Sequence, residues 1–279
     1  MRQTSGSIVC PSCGKLIDVN EERCPFCGRW QPGMFGYSTS LSHFAESLDP
    51  TAGITWFCIL LYLVALALDP KAALSSQGGI FEILSPSGRS LLMLGMTSGA
   101  AASHGHWYTV LSATFLHGGL LHIGFNLLWI RSIGPTIEDG YGPARYFVIF
   151  MVASIGGFIV SDVLSGAPTV GASGGIFGLL AATVLYGRAH GGHFGDAITR
   201  QALLWAGILL VLGFMGSRTN NLAHLGGFAF GYVTARYFLP EADRREGLGV
   251  VITALALAAG SVLAVVFSLI TFAPYFMKG

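Results

Sequence analysis

Apolar residues dominate the chain from position 51 onward, whereas its first 50 residues are mostly polar. Asp49-Pro50-Thr51 has the form of a helix start. Beyond it, apolar runs recur at about 51–68, 119–138, 144–164, 172–187, 201–216, 222–239 and 249–273. Each approaches the roughly 20 residues an α-helix needs to cross a bilayer, so the pattern predicts seven spans. Between 69 and 118 the pattern breaks. Leu91-Leu92-Met93-Leu94 and Trp107-Tyr108-Thr109-Val110-Leu111 are too apolar for a solvated loop, and the glycines and serines around them too frequent for one clean span. This stretch is expected to lie partly embedded at the membrane interface. Residues 28–50, with Trp30, Pro32, Gly33 and Gly36, read as a linker.

Composition agrees. The chain is 52% hydrophobic and only 10% charged, against about 25% charged residues in a soluble domain. The expected class is an all-α polytopic membrane protein. A net charge of +1 without a long basic run argues against a nucleic-acid partner or a basic surface anchor. Lys and Arg set the expected orientation. With the amino terminus in the cytoplasm, Arg2, Lys15, Arg23, Arg29, Arg131, Arg145, Arg188, Arg200, Arg236, Arg244 and Arg245 fall inside, and only Lys71, Arg89, Arg218 and Lys278 outside. No signal-peptide h-region or transit peptide is visible at the start, which points to a bacterial-type cytoplasmic (inner) membrane.

Cys10, Cys13, Cys24 and Cys27 form two C-x-x-C knuckles, each followed by Gly. That spacing suits four thiolates around a structural zinc. Two disulfides are the alternative, disfavoured if this end is cytosolic and reducing. So short a segment buries little core, so metal would supply its folding energy. Cys58, within the first span, reads as a packing residue.

Three short segments place polar side chains in apolar surroundings, where such groups are expensive and functional by default. They are His117-Gly-Gly-Leu-Leu-His122-Ile-Gly-Phe-Asn126, Gly171-Ala-Ser173-Gly174, and Ala223-His224-Leu-Gly-Gly227-Phe-Ala-Phe-Gly231. Ser173 opens the fourth span, where unpaired backbone N–H groups and the positive dipole end can hold an oxyanion. From Ser173 to Gly187 that span measures about 22 Å, so Ser173 is expected below the outer surface, after non-helical Pro168–Gly171. His224 lies at a comparable depth on the sixth span, which runs in the same direction. Gly174-x3-Gly178 and Gly227-x3-Gly231 offer small faces for close helix approach. His122 and Asn126, at i and i+4, share one face and supply N–H donors. Glu241 is far down the same helix and Asp162 lies at the outer end of another, so no acid is placed to orient His224 and a Ser-His dyad is expected rather than a triad. His117 reads as a hydrogen-bonding brace, and His104, His106, His190 and His193 as interfacial residues. His190-Gly-Gly-His193 is a weak metal pattern, and Arg131 is expected to snorkel inward.

In this order and on these spans, H-x4-H-x3-N, G-A-S-G and A-H-x2-G-x3-G resemble the rhomboid family of intramembrane serine proteases over residues 51–240. The resemblance implies a six-helix core that cleaves membrane proteins in or near a transmembrane segment, toward the extracytoplasmic side. It implies Ser173 as nucleophile, His224 as base, and His122, Asn126 and the Ser173 N–H as oxyanion donors, with no cofactor for catalysis. The zinc ribbon (1–29), the linker (30–50) and the seventh helix (within 241–279) resemble appendages of some members. Expected partners are substrates with a transmembrane helix, the lipid bilayer, and a cytoplasmic partner for the ribbon. Two positions depart from the pattern. Trp107-Tyr108 stands where many members have Trp-Arg, which touches a loop-anchoring contact. Phe177 stands where members often have Tyr; at i+4 from Ser173 its ring can still pack against His224. The rival readings are a non-catalytic relative that escorts transmembrane helices, and a small channel or transporter with proton-relay histidines. The first should lack Ser173 or His224, and the second more often shows internal repeats, which are absent here.

Overall fold

A computed structural model of the chain describes residues 2–40, 44, 49–74, 84–215, 219–242 and 246–276. The expected amino-terminal ribbon is built on a two-stranded sheet, beside the helical remainder of the chain. Strands β1 (Ser7–Val9) and β2 (Leu16–Asp18) pair antiparallel, with Ile8 opposite Ile17. Both cysteine knuckles use the same turn. Gly14 N–H donates to the Cys10 carbonyl and Gly28 N–H to that of Cys24, each at 2.9 Å. Both glycines sit at φ +72°, a left-handed turn that residues with a Cβ rarely adopt.

Helix α1 (Pro50–Leu68) starts as its sequence predicts, with Asp49 accepting the Ala52 N–H at 2.8 Å and Pro50 in the first turn. The described part of the broken stretch folds into α2 (Pro70–Leu74), α3 (Gly88–Met93), α4 (Gly99–Ser103) and α5 (Thr109–Ala113). Leu91, Leu94, Val110 and Leu116 are buried within the protein. The long helices α6 (Leu120–Tyr141), α7 (Pro143–Leu164), α8 (Ser173–His190), α9 (Gly192–Met215), α10 (Asn221–Phe238) and α11 (Leu248–Phe276) follow. Glycines with positive φ turn α6 into α7 (Gly142) and α8 into α9 (Gly191 and Gly192). Successive long helices therefore alternate in direction, and α6, α8 and α10 all begin at one end of the bundle, the site end.

A helix stands at each of the seven predicted spans, several with shifted ends. The fifth begins at Gly192 rather than near 201. The fourth runs on to His190, 18 residues or about 27 Å, so it is longer than expected. Its last turn carries Arg188 and His190, which suit a helix C-terminus.

Among the described residues, four helices are long and apolar enough to cross a membrane: α1, α7, residues 192–214 of α9 and residues 248–272 of α11. They turn large apolar side chains outward, among them Trp56, Leu60, Val211, Phe214, Leu263 and Ile270. Such surface suits lipid rather than water. The other three, α6, α8 and α10, carry Ser173, His122, Asn126, His224 and the G-x3-G pairs. Helix α8 is the buried axis of the bundle, sheltered from Gly174 to Leu185, and α10 packs most extensively against α7 and α8.

Helix α11 is held at both ends. At its start, Glu246 accepts the Ala144 and Arg145 N–H groups at 3.0 and 2.6 Å, capping α7. Burial raises that carboxyl above its usual range, and the two N–H groups oppose the rise. At its far end Ser268 is buried beside Gly95 and Ser112. There the Phe267 ring meets Tyr108 at 4.9 Å and the Phe272 ring meets His106 at 5.0 Å, both edge to face.

Candidate active site

After α7 ends, residues 165–172 run back along the bundle without helical structure. Their backbone is satisfied by neighbouring protein, as membrane-depth loops require. Thr169 N–H donates to Thr97 O and Gly171 N–H to Ala113 O, both at 2.9 Å. Asn220 ties this return to the helices beside it. Its Nδ2 donates to Ser161 Oγ at 2.5 Å and Thr169 Oγ1 at 2.9 Å, while its Oδ1 accepts the Leu222 and Ala223 N–H groups as the α10 N-cap. The chain re-enters helix at Ser173. The next residue, Gly174, lies against Ser154 of α7: a Cβ there would be 3.5 Å from Ser154 Cα. Ser154 is ten residues before the end of α7 (154 to 164), so Ser173 sits about 15 Å below that helix end.

Glycines bring α8 and α10 together. A Cβ on Gly227 would overlap the Gly174 carbonyl, and one on Gly231 would overlap Gly178 Cα. Backbone-to-backbone contact of this kind requires small residues on both faces. It sets His224, four residues into α10, opposite the first residue of α8.

Ser173 Oγ lies 2.9 Å from His224 Nε2. Ser173 is partly accessible, and His224 is only 7% exposed. On the other edge of the imidazole, Nδ1 lies 3.2 Å from Asn221 Oδ1. An amide oxygen can only accept, so the network assigns the proton to Nδ1 and leaves Nε2 free to accept from the serine. The Phe177 ring covers one face of His224 at 4.5 Å and 15° from parallel. Sequence reasoning anticipated that stack. It missed Asn221, although an Asn three residues before a helical His shares its face.

His122 also reaches this point. Its Nδ1 accepts the Gly118 N–H at 3.2 Å, so Nε2 carries the proton. Nε2 points at Gly171, where a Cβ would fall 2.8 Å from it and 3.9 Å from Ser173 Oγ. Gly171 sits at φ +129°, so both its backbone and the space between the two side chains call for glycine. The first N–H groups of α8 have no partner within the helix. Asn126 is buried one turn further on. Its Nδ2 donates to His122 O at 2.8 Å, its Oδ1 has no partner, and no hydrogen bond joins it to Ser173 or His224 among the described residues. His117 donates from Nδ1 to Phe115 O at 3.3 Å and packs edge-on against His122 at 5.0 Å, as a brace would. Asp162 accepts from Thr97 Oγ1 at 2.6 Å and has no hydrogen bond to His224.

The arrangement holds a hydroxyl, a base with a defined tautomer, and N–H donors converging on one gap. Those are the parts for nucleophilic attack on a carbonyl. A family profile described as the Rhomboid domain matches residues 104–241, which include all these groups. The chain belongs to the rhomboid family. It is 34% identical over 154 residues to "Rhomboid protease GluP" of Bacillus subtilis (strain 168), covering 55% of this chain and 30% of that protein. It is 30% identical over 183 residues to "RHOMBOID-like protein 5" of Arabidopsis thaliana, covering 59% of each. With "Rhomboid-like protease 3" of Toxoplasma gondii it shares 28% over 162 residues, 57% of this chain and 62% of that one. The rhomboid chain thus spans less than two thirds of the length of each of these relatives. It is an integral membrane protein whose α11 and amino-terminal ribbon lie outside the matched region.

In the ribbon, the four cysteine sulfurs lie within 4.8 Å of one another. Cys10 and Cys27 are 3.8 Å apart and Cys13 and Cys24 3.7 Å. Thiolates placed about 2.3 Å from a tetrahedral zinc would be separated by roughly 3.8 Å, whereas a disulfide needs about 2 Å. The donor set therefore fits zinc. It is the one such group of potential metal ligands among the described residues, and it does not include His190 or His193.

Proposed function

We propose that this rhomboid protein is an intramembrane serine endopeptidase that cleaves other membrane proteins in or near a transmembrane segment. The observation that carries this reading is the 2.9 Å contact from Ser173 Oγ to His224 Nε2, with His224 Nδ1 engaged on its other side. Relatives named as rhomboid proteases support it.

A substrate helix unwinds at the site end and presents a peptide bond to Ser173. His224 Nε2 takes the hydroxyl proton as Oγ attacks the carbonyl carbon. His122 Nε2–H and the first N–H groups of α8 hold the oxyanion, with Asn126 supporting His122 through its carbonyl. Collapse breaks the C–N bond, and His224 passes the proton to the leaving amine. Water, deprotonated by His224, then attacks the acyl-enzyme and restores Ser173.

The Lys and Arg distribution supports a cytoplasmic amino terminus, which puts the site end on the extracytoplasmic side of a bacterial-type cytoplasmic membrane. The core occupies 51–240, followed by a cytoplasmic loop and the seventh span within 241–279. The ribbon, residues 1–29, holds a structural zinc through Cys10, Cys13, Cys24 and Cys27, is joined to the core by residues 30–50, and is available to a cytoplasmic partner. The metal would fix the two knuckles and takes no part in peptide cleavage.

The test is purified protein in liposomes with a single-span test substrate, beside Ser173→Ala. Cleavage and fluorophosphonate labelling by the wild type, both lost in the variant, support the reading. Binding without cleavage or labelling would instead identify a helix escort.

A further inference from the structure

We infer that Asn221 is a positioning residue for His224, and that Gly213 on α9 is what allows it to act. This deepens the reading of His224 as the base and rests on it.

A neutral imidazole has two tautomers, and only the one protonated at Nδ1 leaves Nε2 able to accept from Ser173. A dyad without a third carboxylate has nothing of its own to select that tautomer. Asn221 Oδ1, 3.2 Å from His224 Nδ1, supplies the acceptor. An amide, however, can present either its oxygen or its NH2. Presented the wrong way round, Asn221 would offer a donor to Nδ1 and select the other tautomer. Helix α9 decides the matter: Asn221 Nδ2 donates to Leu210 O at 3.4 Å. A flipped amide would set its oxygen against that carbonyl oxygen, two acceptors with no proton between them. The Leu210 carbonyl thus selects the amide orientation, and the amide selects the imidazole tautomer.

Gly213 makes the approach possible. A Cβ there would overlap Asn221 Oδ1 and lie 3.1 Å from Thr219 Cγ2. Gly213 lies in the last turn of α9 with no positive φ that would call for glycine, and glycine there costs about 0.5–1 kcal/mol relative to Ala. The amide also avoids placing an uncompensated charge in apolar surroundings, which a carboxylate orienter would do. The resulting path runs from the Leu210 carbonyl through Asn221 and His224 to Ser173, and includes a helix that carries none of the other site groups.

The test combines histidine nitrogen NMR with kinetics. With ¹⁵N-labelled histidine and His224→Ala for assignment, the wild type at alkaline pH should show His224 protonated at Nδ1. Asn221→Ala should shift that ring toward the Nε2–H form, and Asn221→Asp, which keeps an acceptor, should restore the Nδ1–H signal. Asn221→Ala should lower kcat by about 10–100-fold with KM little changed. Gly213→Ala should reproduce the tautomer shift and the kcat loss, and should add nothing in the Asn221→Ala background, since the two act through one contact. An Nε2–H ring in the wild type, a tautomer indifferent to Asn221→Ala, or fully additive losses would overturn the inference. The tautomer is readable in protein that does not cleave. The expected NMR pattern without any cleavage would therefore leave the orientation standing and sink the protease reading instead.

Discussion

The rings of Phe177 and His224 lie 4.5 Å apart and 15° from parallel. Phe177 stands one helical turn along α8 from Ser173, so the helix that presents the hydroxyl also carries the wall against which the imidazole rests. One face and the Nδ1 edge of His224 are then fixed, and Nε2 is left pointing at Oγ.

Removing that wall should loosen the ring without moving the helices. A stacked aromatic pair is worth about 0.5–1.5 kcal/mol, so Phe177→Ala is expected to lower kcat by up to roughly tenfold. Phe177→Tyr should retain near-wild-type turnover because it keeps the ring. Cleavage rates at saturating substrate, with circular dichroism to establish intact helices, check both.

His122 and Asn126 should separate by magnitude. His122 Nε2–H faces the gap beside Ser173, whereas Asn126 spends one N–H on the His122 carbonyl. His122→Ala is expected to reduce kcat by about 10²–10³, the usual cost of losing an oxyanion donor. Asn126→Ala should cost less. Equal losses would mean that the Asn126 amide turns toward the substrate during reaction.

Bulk on the α8–α10 seam should damage stability and activity together. Gly231→Leu would place side-chain atoms where Gly178 Cα now lies. Overpacking of this kind costs about 1–3 kcal/mol and would widen the distance from Ser173 to His224. Unfolding in mixed micelles should show the first effect, and fluorophosphonate labelling the second.

The ribbon should depend on metal and the bundle should not. Purified protein is expected to carry about one zinc per chain. Cys10→Ser should release it and expose residues 2–40 to limited proteolysis, while the unfolding midpoint of the helical part stays unchanged. Metal content by plasma emission and mapped cleavage sites are the measurements. Retained zinc in a Cys10→Ser, Cys13→Ser protein would contradict the four-thiolate site.

Much of this architecture is written in simple patterns. Apolar run length marks the spans, and the G-x3-G pairs mark the faces of α8 and α10 that touch. The i+4 step from Ser173 to Phe177 predicts the stack on His224. What escapes depends on contacts between distant segments. Asn221 is an unremarked polar residue at a helix start until α9 brings Leu210 O and Gly213 beside it. Thr97 and Thr169 form an isolated bridge that no local pattern announces. Apolar periodicity also stops short at helix ends, where polar residues continue the backbone hydrogen bonding. For that reason α8 reaches His190 and α9 starts at Gly192, each beyond the apolar run that foretold it.

Tyr108 bears on the standing of the carboxy-terminal helix. The stretch leading to His117 and His122 leans on α11 through Tyr108 against Phe267 and His106 against Phe272. The counterpart of the Tyr108 ring lies some 160 residues downstream, outside the matched residues 104–241. The last helix is thus a buttress for the loop ahead of the site, and cutting the chain before it would strip Tyr108 and His106 of the rings they rest on.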